Sequence, residues 1–167
     1  MWRWHVLVVV MLAGFVAGMG YAQPRGGASE MLSGSDYAEI IHLFGRYNQG
    51  TDFRDAEMWL SVFTDDAVFQ PGVDREEYVG KAALAEWRAQ NFAARAPDRR
   101  YRHWNSSWVV TPTTEGATGR GYLLGINATT GDPVVEESGY YEDVYVETSD
   151  GWRIKERRAR RDRFSPQ

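Results

Sequence analysis

The feature that most constrains this chain is a change in the spacing of its apolar residues near Arg100. Before that point, segments such as Tyr37 to Tyr47 place apolar side chains three and four residues apart, which is typical of helices. After it, apolar and polar residues tend to alternate, which is typical of strands. Helices followed by consecutive strands predict an α+β domain in which three helices cover one face of a curved antiparallel sheet.

The expected elements are short and closely spaced. Asp36 is the expected N-cap of the first helix, with Glu39 as its capping-box partner. The same helix is expected to end at Gly50. Long twisted strands beneath the helices would form a cone with an apolar interior, which suits a small molecule. The other expected helices are 55–63 and 81–92, and the expected strands are 67–70, 78–79, 100–111, 117–127, 136–147 and 152–160.

Residues 1–22 have the three-part pattern of a secretory signal peptide. The 13 residues from Val6 to Gly18 carry no charge, and the small residues Gly20 and Ala22 precede Gln23. This apolar run is shorter than the roughly 20 residues of a membrane span, although an uncleaved anchor is the alternative. We therefore expect a periplasmic or secreted protein with no membrane contact after cleavage. The expected parts are the signal peptide 1–22, a flexible leader 23–34, a domain 35–162 and a tail 163–167.

Composition excludes several classes of site and partner. The net charge of -4 argues against a nucleic-acid partner. The absence of cysteine excludes disulfides, thiolate nucleophiles and cysteine-type zinc sites. His5 lies in the predicted signal peptide, so His42 and His103 are too few for a three-histidine site, and we expect no metal. His42 lies opposite the apolar face of the first helix and is expected on the surface.

His103 lies in the middle of a polar row on a predicted strand. Alternation places Tyr101, Asn105 and Ser107 on the same face as His103. Such a row suits the wall of a pocket, although a structural histidine on an exposed strand fits the same pattern.

Asp52 is the candidate partner of His103. It follows the expected helix end at Gly50, so one interpretation is that it begins the second helix, for which Asp55 is also available. The other interpretation is that Asp52 points into the cone and accepts a hydrogen bond from His103. A carboxylate in that position fixes the imidazole tautomer and raises its basicity, which makes a general acid/base pair.

Three segments resemble the SnoaL-like domains of the nuclear transport factor 2-like superfamily. The segment RYNQGTDFRDAEMWLSVFTDDAVFQ is similar to the first motif of these domains, a Tyr followed five residues later by an Asp and then by F-x-D-D-A-x-F. YRHWNSSWVV resembles the histidine-bearing strand, and SGYYEDVYVETSDGWRIKERR resembles the terminal hairpin. The resemblance covers about Ser35 to Asp162 and implies a cone-shaped α+β barrel with a deep pocket.

The resemblance also implies a chemistry. The family includes scytalone dehydratase, bile acid 7α-dehydratase, polyketide cyclases and steroid isomerases, and its dehydratases use Tyr, Asp and His without metal or organic cofactor. That set falls on Tyr47, Asp52 and His103. His103 would be the base that removes a proton next to a carbonyl, Asp52 would orient it, and Tyr47 would donate to the carbonyl oxygen or the departing hydroxyl.

We therefore expect a cofactor-independent lyase or isomerase that acts on a small, mostly apolar carbonyl or hydroxylated compound. One alternative is a non-catalytic exported module that binds a small molecule, and another is a purely structural or assembly domain, in which side chains would fill the cone. Tyr141 matches the tyrosine of the family hairpin, although the sequence leaves open whether Tyr140 or Tyr141 faces inward. Arg157 is one of seven basic residues from Arg153 to Arg163 and is expected on a solvated sheet edge, with polyanion binding as the alternative. The expected ligand contacts are Phe44, Trp59, Phe63, Phe69, Leu84, Asn105 and Tyr141.

Trp104 and Trp108 are expected on the outer face of the sheet, because they alternate with His103. Two exposed tryptophans would form an apolar patch that a monomer rarely leaves open. Relatives in the resembled family commonly pair through this face, so we expect a homodimer. The alternative is that the leader or the C-terminal tail covers the patch.

Overall fold

A computed structural model of the chain describes residues 31–162. The predicted signal peptide, the leader up to residue 30 and residues 163–167 lie outside this range. No helix within 31–162 is both long and apolar enough to cross a bilayer. In chain order the elements are α1 (Gly34–Asp52), α2 (Ala56–Leu60), β1 (Phe63–Gln70), β2 (Tyr78–Val79), α3 (Lys81–Ala93), β3 (Tyr101–His103), β4 (Ser106–Thr113), β5 (Gly116–Asn127), β6 (Val134–Thr148) and β7 (Gly151–Arg161).

The strands form one curled sheet with the helices packed against its inner face, which confirms the predicted α+β fold class. The strand order is β2-β1-β7-β6-β5-β3, and β4 also pairs with β5. All neighbouring strands are antiparallel except β1 and β7, which run parallel. The sheet is therefore mixed, and the prediction of an antiparallel sheet is wrong at this pair, because β1 lies beside β7 and runs in the same direction.

The first helix begins earlier than the sequence predicts. The hydroxyl of Ser33 accepts a hydrogen bond from the backbone N–H of Asp36 at 3.1 Å, and the Asp36 carboxylate accepts one from the backbone N–H of Ser33 at 2.9 Å. This reciprocal pair is a capping box with Ser33 as the N-cap. The prediction that Asp36 is the N-cap is wrong, because Asp36 is the third helical residue and Glu39 is not its partner.

Gly50 does not end α1, as the sequence suggested, but lies in its last turn. A Cβ atom at this position would lie 2.7 Å from the backbone nitrogen of Trp59. The glycine is therefore needed for the close approach of α2 to α1. Because α1 continues through Asp52, this carboxylate projects from a helix and not from a loop.

A bulge divides the strand that was expected over 100–111. Strand β3 ends at His103, and between Ser106 and Val109 the pairing of β4 with β5 includes one extra residue. An extra residue reverses the alternation of side chains. Trp108 therefore turns inward, with its ring centroid 3.6 Å from that of Phe44. The prediction that Trp108 shares the exposed outer face with Trp104 is wrong.

A second bulge, at Lys155, reverses the alternation in β7. Arg157 then faces the interior together with Trp152 and Ile154, and its side chain is fully buried. The prediction that Arg157 lies on a solvated sheet edge is therefore wrong. The Arg157 guanidinium donates two hydrogen bonds to the Asp143 carboxylate, at 2.9 and 2.8 Å.

Candidate active site

Asp52 and His103 meet at the end of α1. Nδ1 of His103 lies 2.5 Å from Oδ1 of Asp52, and the backbone N–H of His103 donates to Oδ2 of the same carboxylate at 2.9 Å. The His103 side chain is 8% exposed and the Asp52 side chain 5%. The predicted contact is therefore present, and two hydrogen bonds fix the carboxylate relative to the imidazole.

Helix α1 and strand β5 hold this pair from two sides. Asp52 is the last residue of α1, and His103 pairs with Gly125 of β5. The ring of Tyr101 packs edge-on against the His103 imidazole, with centroids 5.0 Å apart. A Cβ atom at position 125 would lie 1.8 Å from the Tyr101 hydroxyl, so Gly125 provides the space that this tyrosine occupies.

A third contact joins the histidine strand to α1. The amide nitrogen of Asn105 donates to the side-chain oxygen of Asn48 at 2.8 Å. The side-chain oxygen of Asn105 is buried and has no hydrogen-bond partner within residues 31–162. Asn105 therefore links the β3–β4 connection to α1, and it is not among the residues of the described cavity wall although the sequence predicts it as a ligand contact.

The contact at Nδ1 determines what the other ring nitrogen can do. An ionised Asp52 accepts a hydrogen bond from the protonated Nδ1, which leaves a lone pair on Nε2. Within residues 31–162, Nε2 has no hydrogen-bond partner. His103 can therefore accept a proton at Nε2, and Asp52 stabilises the imidazolium that forms.

His103 lies in the wall of a cavity of about 380 Å³. The wall is built by the segment that joins β1 to β2, by β2, by α3 and the loop that follows it, and by residues of β3, β6 and β7. It is far more polar than the apolar pocket that the sequence predicts. Its aromatic residues are Tyr78, Trp87 and Tyr101, and its charged residues are Arg75, Arg95, Arg99, Glu137 and Arg161.

The structure places the predicted apolar ligand contacts in the core instead of the cavity wall. Their rings pack against one another; the centroids of Trp59 and Phe63, for example, are 4.7 Å apart. Side chains thus fill the space between helices and sheet that was expected to be open. The core residues in question, all at most 2% exposed, are Phe44, Trp59, Phe63, Phe69 and Leu84.

Both tyrosines of the predicted site are also buried in the core. Of Tyr140 and Tyr141, it is Tyr141 that faces inward. Its ring centroid lies 5.7 Å from that of Tyr47. The Arg157 guanidinium lies over both rings, 4.2 Å from the centroid of Tyr47 and 4.5 Å from that of Tyr141. In the described part of the chain, neither tyrosine belongs to the cavity wall.

Two buried arginines in the interior differ in their partners. Burial alone would lower the pKa of Arg157, but the charge and hydrogen bonds of Asp143 raise it overall. Arg88 stacks on the ring of Trp59 at 3.9 Å, and within residues 31–162 it has no carboxylate partner. Burial lowers the pKa of Arg88 to about 10.

Strand alternation predicts that Tyr101 shares the face of His103, and Tyr101 does line the cavity. Other residues of the wall were not predicted from the sequence. Arg95 and Arg99 lie in the segment that follows α3, where Pro97 indicates the end of a helix and nothing in the sequence marks the arginines as ligand contacts. No local sequence pattern predicts that Glu137 lies in the site, because its position there depends on the pairing of β6 with β5.

Solved structures of similar fold come from several bacteria. A Nostoc punctiforme protein of unknown function with a cystatin-like fold is 24% identical and covers 78% of this chain and 94% of its own, with a TM-score of 0.69. Rv3472 from Mycobacterium tuberculosis, solved as a variant and also of unknown function, is 28% identical over 78% of each chain, with a TM-score of 0.68. A Catenulispora acidiphila protein, solved in complex with S-DNPA, is 23% identical over 78% of this chain and 96% of its own, with a TM-score of 0.69.

A comparison with curated proteins gave no significant match. A family model described as the SnoaL-like domain matches residues 33–158. This range includes α1, the Asp52–His103 pair and almost all of the sheet. The match and the fold agree, and the chain belongs to the SnoaL-like domain family.

Proposed function

We propose that this protein is a cofactor-independent lyase or isomerase that acts on a small carbonyl or hydroxylated compound. The observation that carries the proposal is the 2.5 Å contact between His103 and Asp52 in the wall of a 380 Å³ cavity. Membership of a family that includes polyketide cyclases and dehydratase-like enzymes supports it. The similar Catenulispora acidiphila protein in complex with S-DNPA supports a small-molecule ligand.

In the proposed reaction, Nε2 of His103 removes a proton from the carbon next to the carbonyl group. Asp52 stabilises the resulting imidazolium, and negative charge develops on the carbonyl oxygen. The imidazolium then returns the proton, either to a departing hydroxyl, which leaves as water, or to another carbon. Tyr47 is the donor that the family resemblance implies for the oxygen, but it is buried in the core. Arginines of the cavity wall are in a better position to stabilise that charge.

Exchange of the α-protons of 2-tetralone in D₂O, followed by proton NMR, tests the first step. We expect His103→Ala to slow the protein-catalysed exchange by about 10²–10⁴-fold, which is the usual contribution of a positioned acid or base. His42→Ala is the matched control, because His42 is exposed on α1, and it should exchange at the wild-type rate. Equal rates in wild type and His103→Ala would remove His103 from the mechanism. A wild-type protein that binds the ketone without accelerating exchange would favour the non-catalytic binding module.

We also propose that the protein is a homodimer that pairs through the outer face of β4, β5, β6 and β7. This face carries exposed apolar side chains, which monomers rarely leave uncovered. Arginines and glutamates alternate around them, and a surface with both charges can complement itself across a two-fold axis. The apolar residues are Trp104, Val109, Tyr122 and Leu124, and the charged ones are Arg120, Glu142, Glu156 and Arg158.

Export to the periplasm or the medium is a further part of the proposal. It rests on the charge-free run from Val6 to Gly18 and on the small residues before Gln23. The intact mass of the protein recovered from an exporting host would reveal a chain that begins at Gln23. An unprocessed chain in the membrane fraction would instead support the uncleaved anchor.

A further inference from the structure

The cavity beside His103 has a strongly positive wall. Among the described residues, four arginines and one glutamate provide its charges: Arg75, Arg95, Arg99, Arg161 and Glu137.

Two of these arginines have carboxylate partners. Arg161 forms an ion pair with Glu137, whose other carboxylate oxygen accepts a hydrogen bond from the hydroxyl of Tyr101 at 3.1 Å. Arg99 pairs with Glu136 at 3.2 Å, and its guanidinium lies 4.5 Å from the ring centroid of Tyr101. The one acidic residue of the wall is therefore already neutralised by a protein partner.

Within residues 31–162, neither Arg75 nor Arg95 has a carboxylate at ion-pair distance, but Arg75 is exposed to solvent. Arg95 is different. It is half-buried, and Arg54 holds the backbone at this point by donating to the carbonyl oxygens of Arg95 and Ala96. Burial, and after it the charge of Arg99, lowers the pKa of Arg95. A half-buried cation without a counter-ion is unfavourable in the free protein, so a ligand anion that pairs with it binds favourably.

We propose that the substrate is an aromatic carboxylic acid whose carboxylate pairs with Arg95 while its reacting carbon faces His103. Arg95 and His103 line the same cavity, and its volume of about 380 Å³ is in the range of sites that hold one small organic molecule. Tyr78 and Trp87 are half-buried, and their parts that line the cavity provide apolar surface for a planar ring. The assignment of the reacting carbon rests on the proposed function, whereas the anion site does not.

Isothermal titration calorimetry with two matched probes, 2-naphthylacetate and 2-naphthylacetamide, tests the anion site on the chain without residues 1–22. We expect the acid to bind about tenfold more tightly than the amide, because a hydrogen bond to a charged group is the stronger kind. Added sodium chloride should reduce this preference. In Arg95→Gln the preference for the acid should disappear, while the affinity for the amide stays the same. Arg95→Lys should retain part of the preference for the acid.

Arg102→Gln is the matched control, because it removes the same charge next to Tyr101 and His103. The Arg102 guanidinium lies 5.0 Å from the ring centroid of Phe53 and is not part of the described cavity wall. This variant should keep the wild-type preference for the acid. The proposal is overturned by equal affinities of the two probes in the wild type, by a preference that survives in Arg95→Gln, or by no binding of the acid at millimolar concentration.

The variant His103→Ala separates this inference from the proposed function. It keeps every arginine of the wall, so it should still prefer the acid although it no longer accelerates α-proton exchange. If the wild-type protein prefers the acid but does not accelerate exchange, the proposed anion site stands and the proposed enzymatic function is rejected. Exchange activity without acid preference would reject the anion site alone.

Discussion

At the scale of single residues, the chemistry of His103 depends on which of its nitrogens carries the proton. A neutral imidazole has one N–H group and one lone pair, and an ionised carboxylate can only accept hydrogen bonds. Asp52 therefore selects the tautomer with the proton on Nδ1 and the lone pair on Nε2. Its second contact, with the backbone N–H of His103, keeps the carboxylate in place while the imidazole gains and loses a proton.

The substitution Asp52→Asn tests this selection with almost no change in shape. The new amide can still accept from the backbone N–H of His103 through its oxygen, but its NH₂ group then donates to Nδ1. This favours the opposite tautomer, in which Nε2 carries the proton and cannot act as a base. We expect 2-tetralone exchange to fall by about 10²–10⁴-fold. The melting temperature should change little, and nitrogen NMR of the imidazole should report the changed tautomer. Wild-type exchange in Asp52→Asn would contradict the orienting role.

At the scale of elements, two bulges decide which side chains enter the interior, and neither could be read from the sequence. Strict alternation predicts that Trp108 faces outward and that Arg157 lies on a solvated edge. One extra residue in β4 and one in β7 shift the alternation, so both side chains face the interior. The reason lies in packing between strands: the ring of Trp108 occupies the space where a side chain at Gly121 would be. By contrast, the helices and the Asp52–His103 contact were predictable, because helical spacing and the family motifs are local in the chain.

The buried pair that the β7 bulge creates should contribute strongly to stability. Arg157→Met would leave the Asp143 carboxylate buried without its cation, although the hydroxyl of Tyr145 still donates to it at 2.6 Å. We expect a loss of about 3–5 kcal/mol in the free energy of unfolding, measured with urea. The double variant Arg157→Met with Asp143→Leu should recover much of this loss, because it leaves no unpaired charge. Arg153→Met is the control, because Arg153 lies on the same strand and has only a backbone partner among the described residues. Its free energy of unfolding should stay within about 0.5 kcal/mol of the wild-type value. Equal losses in the single and double variants would show that the ion pair is not the cause.

At the scale of the whole molecule, the curled sheet separates two surfaces. Its inner face carries the core and, at one end, the cavity with His103, whereas its outer face carries the exposed side chains of β4 and β5. The parallel pairing of β1 with β7, which closes this arrangement, joins distant parts of the chain and has no local signal in the sequence. A second copy bound to the outer face would leave the cavity open to its ligand.

Two exposed valines allow a matched test of that pairing. Val109 lies on the outer face and is 65% exposed, and Val79 lies in β2 at the far edge of the sheet and is 63% exposed. Light scattering on the chain without residues 1–22 should give twice the mass of one chain at micromolar concentration. Val109→Glu should give a monomer, because two unpaired charges in an apolar interface cost several kcal/mol. Val79→Glu should remain a dimer. Trp108 is unsuitable for this test, because it packs on Phe44 and its substitution would damage the core. A wild-type monomer, or a Val109→Glu variant that still pairs, would reject the outer face as the interface.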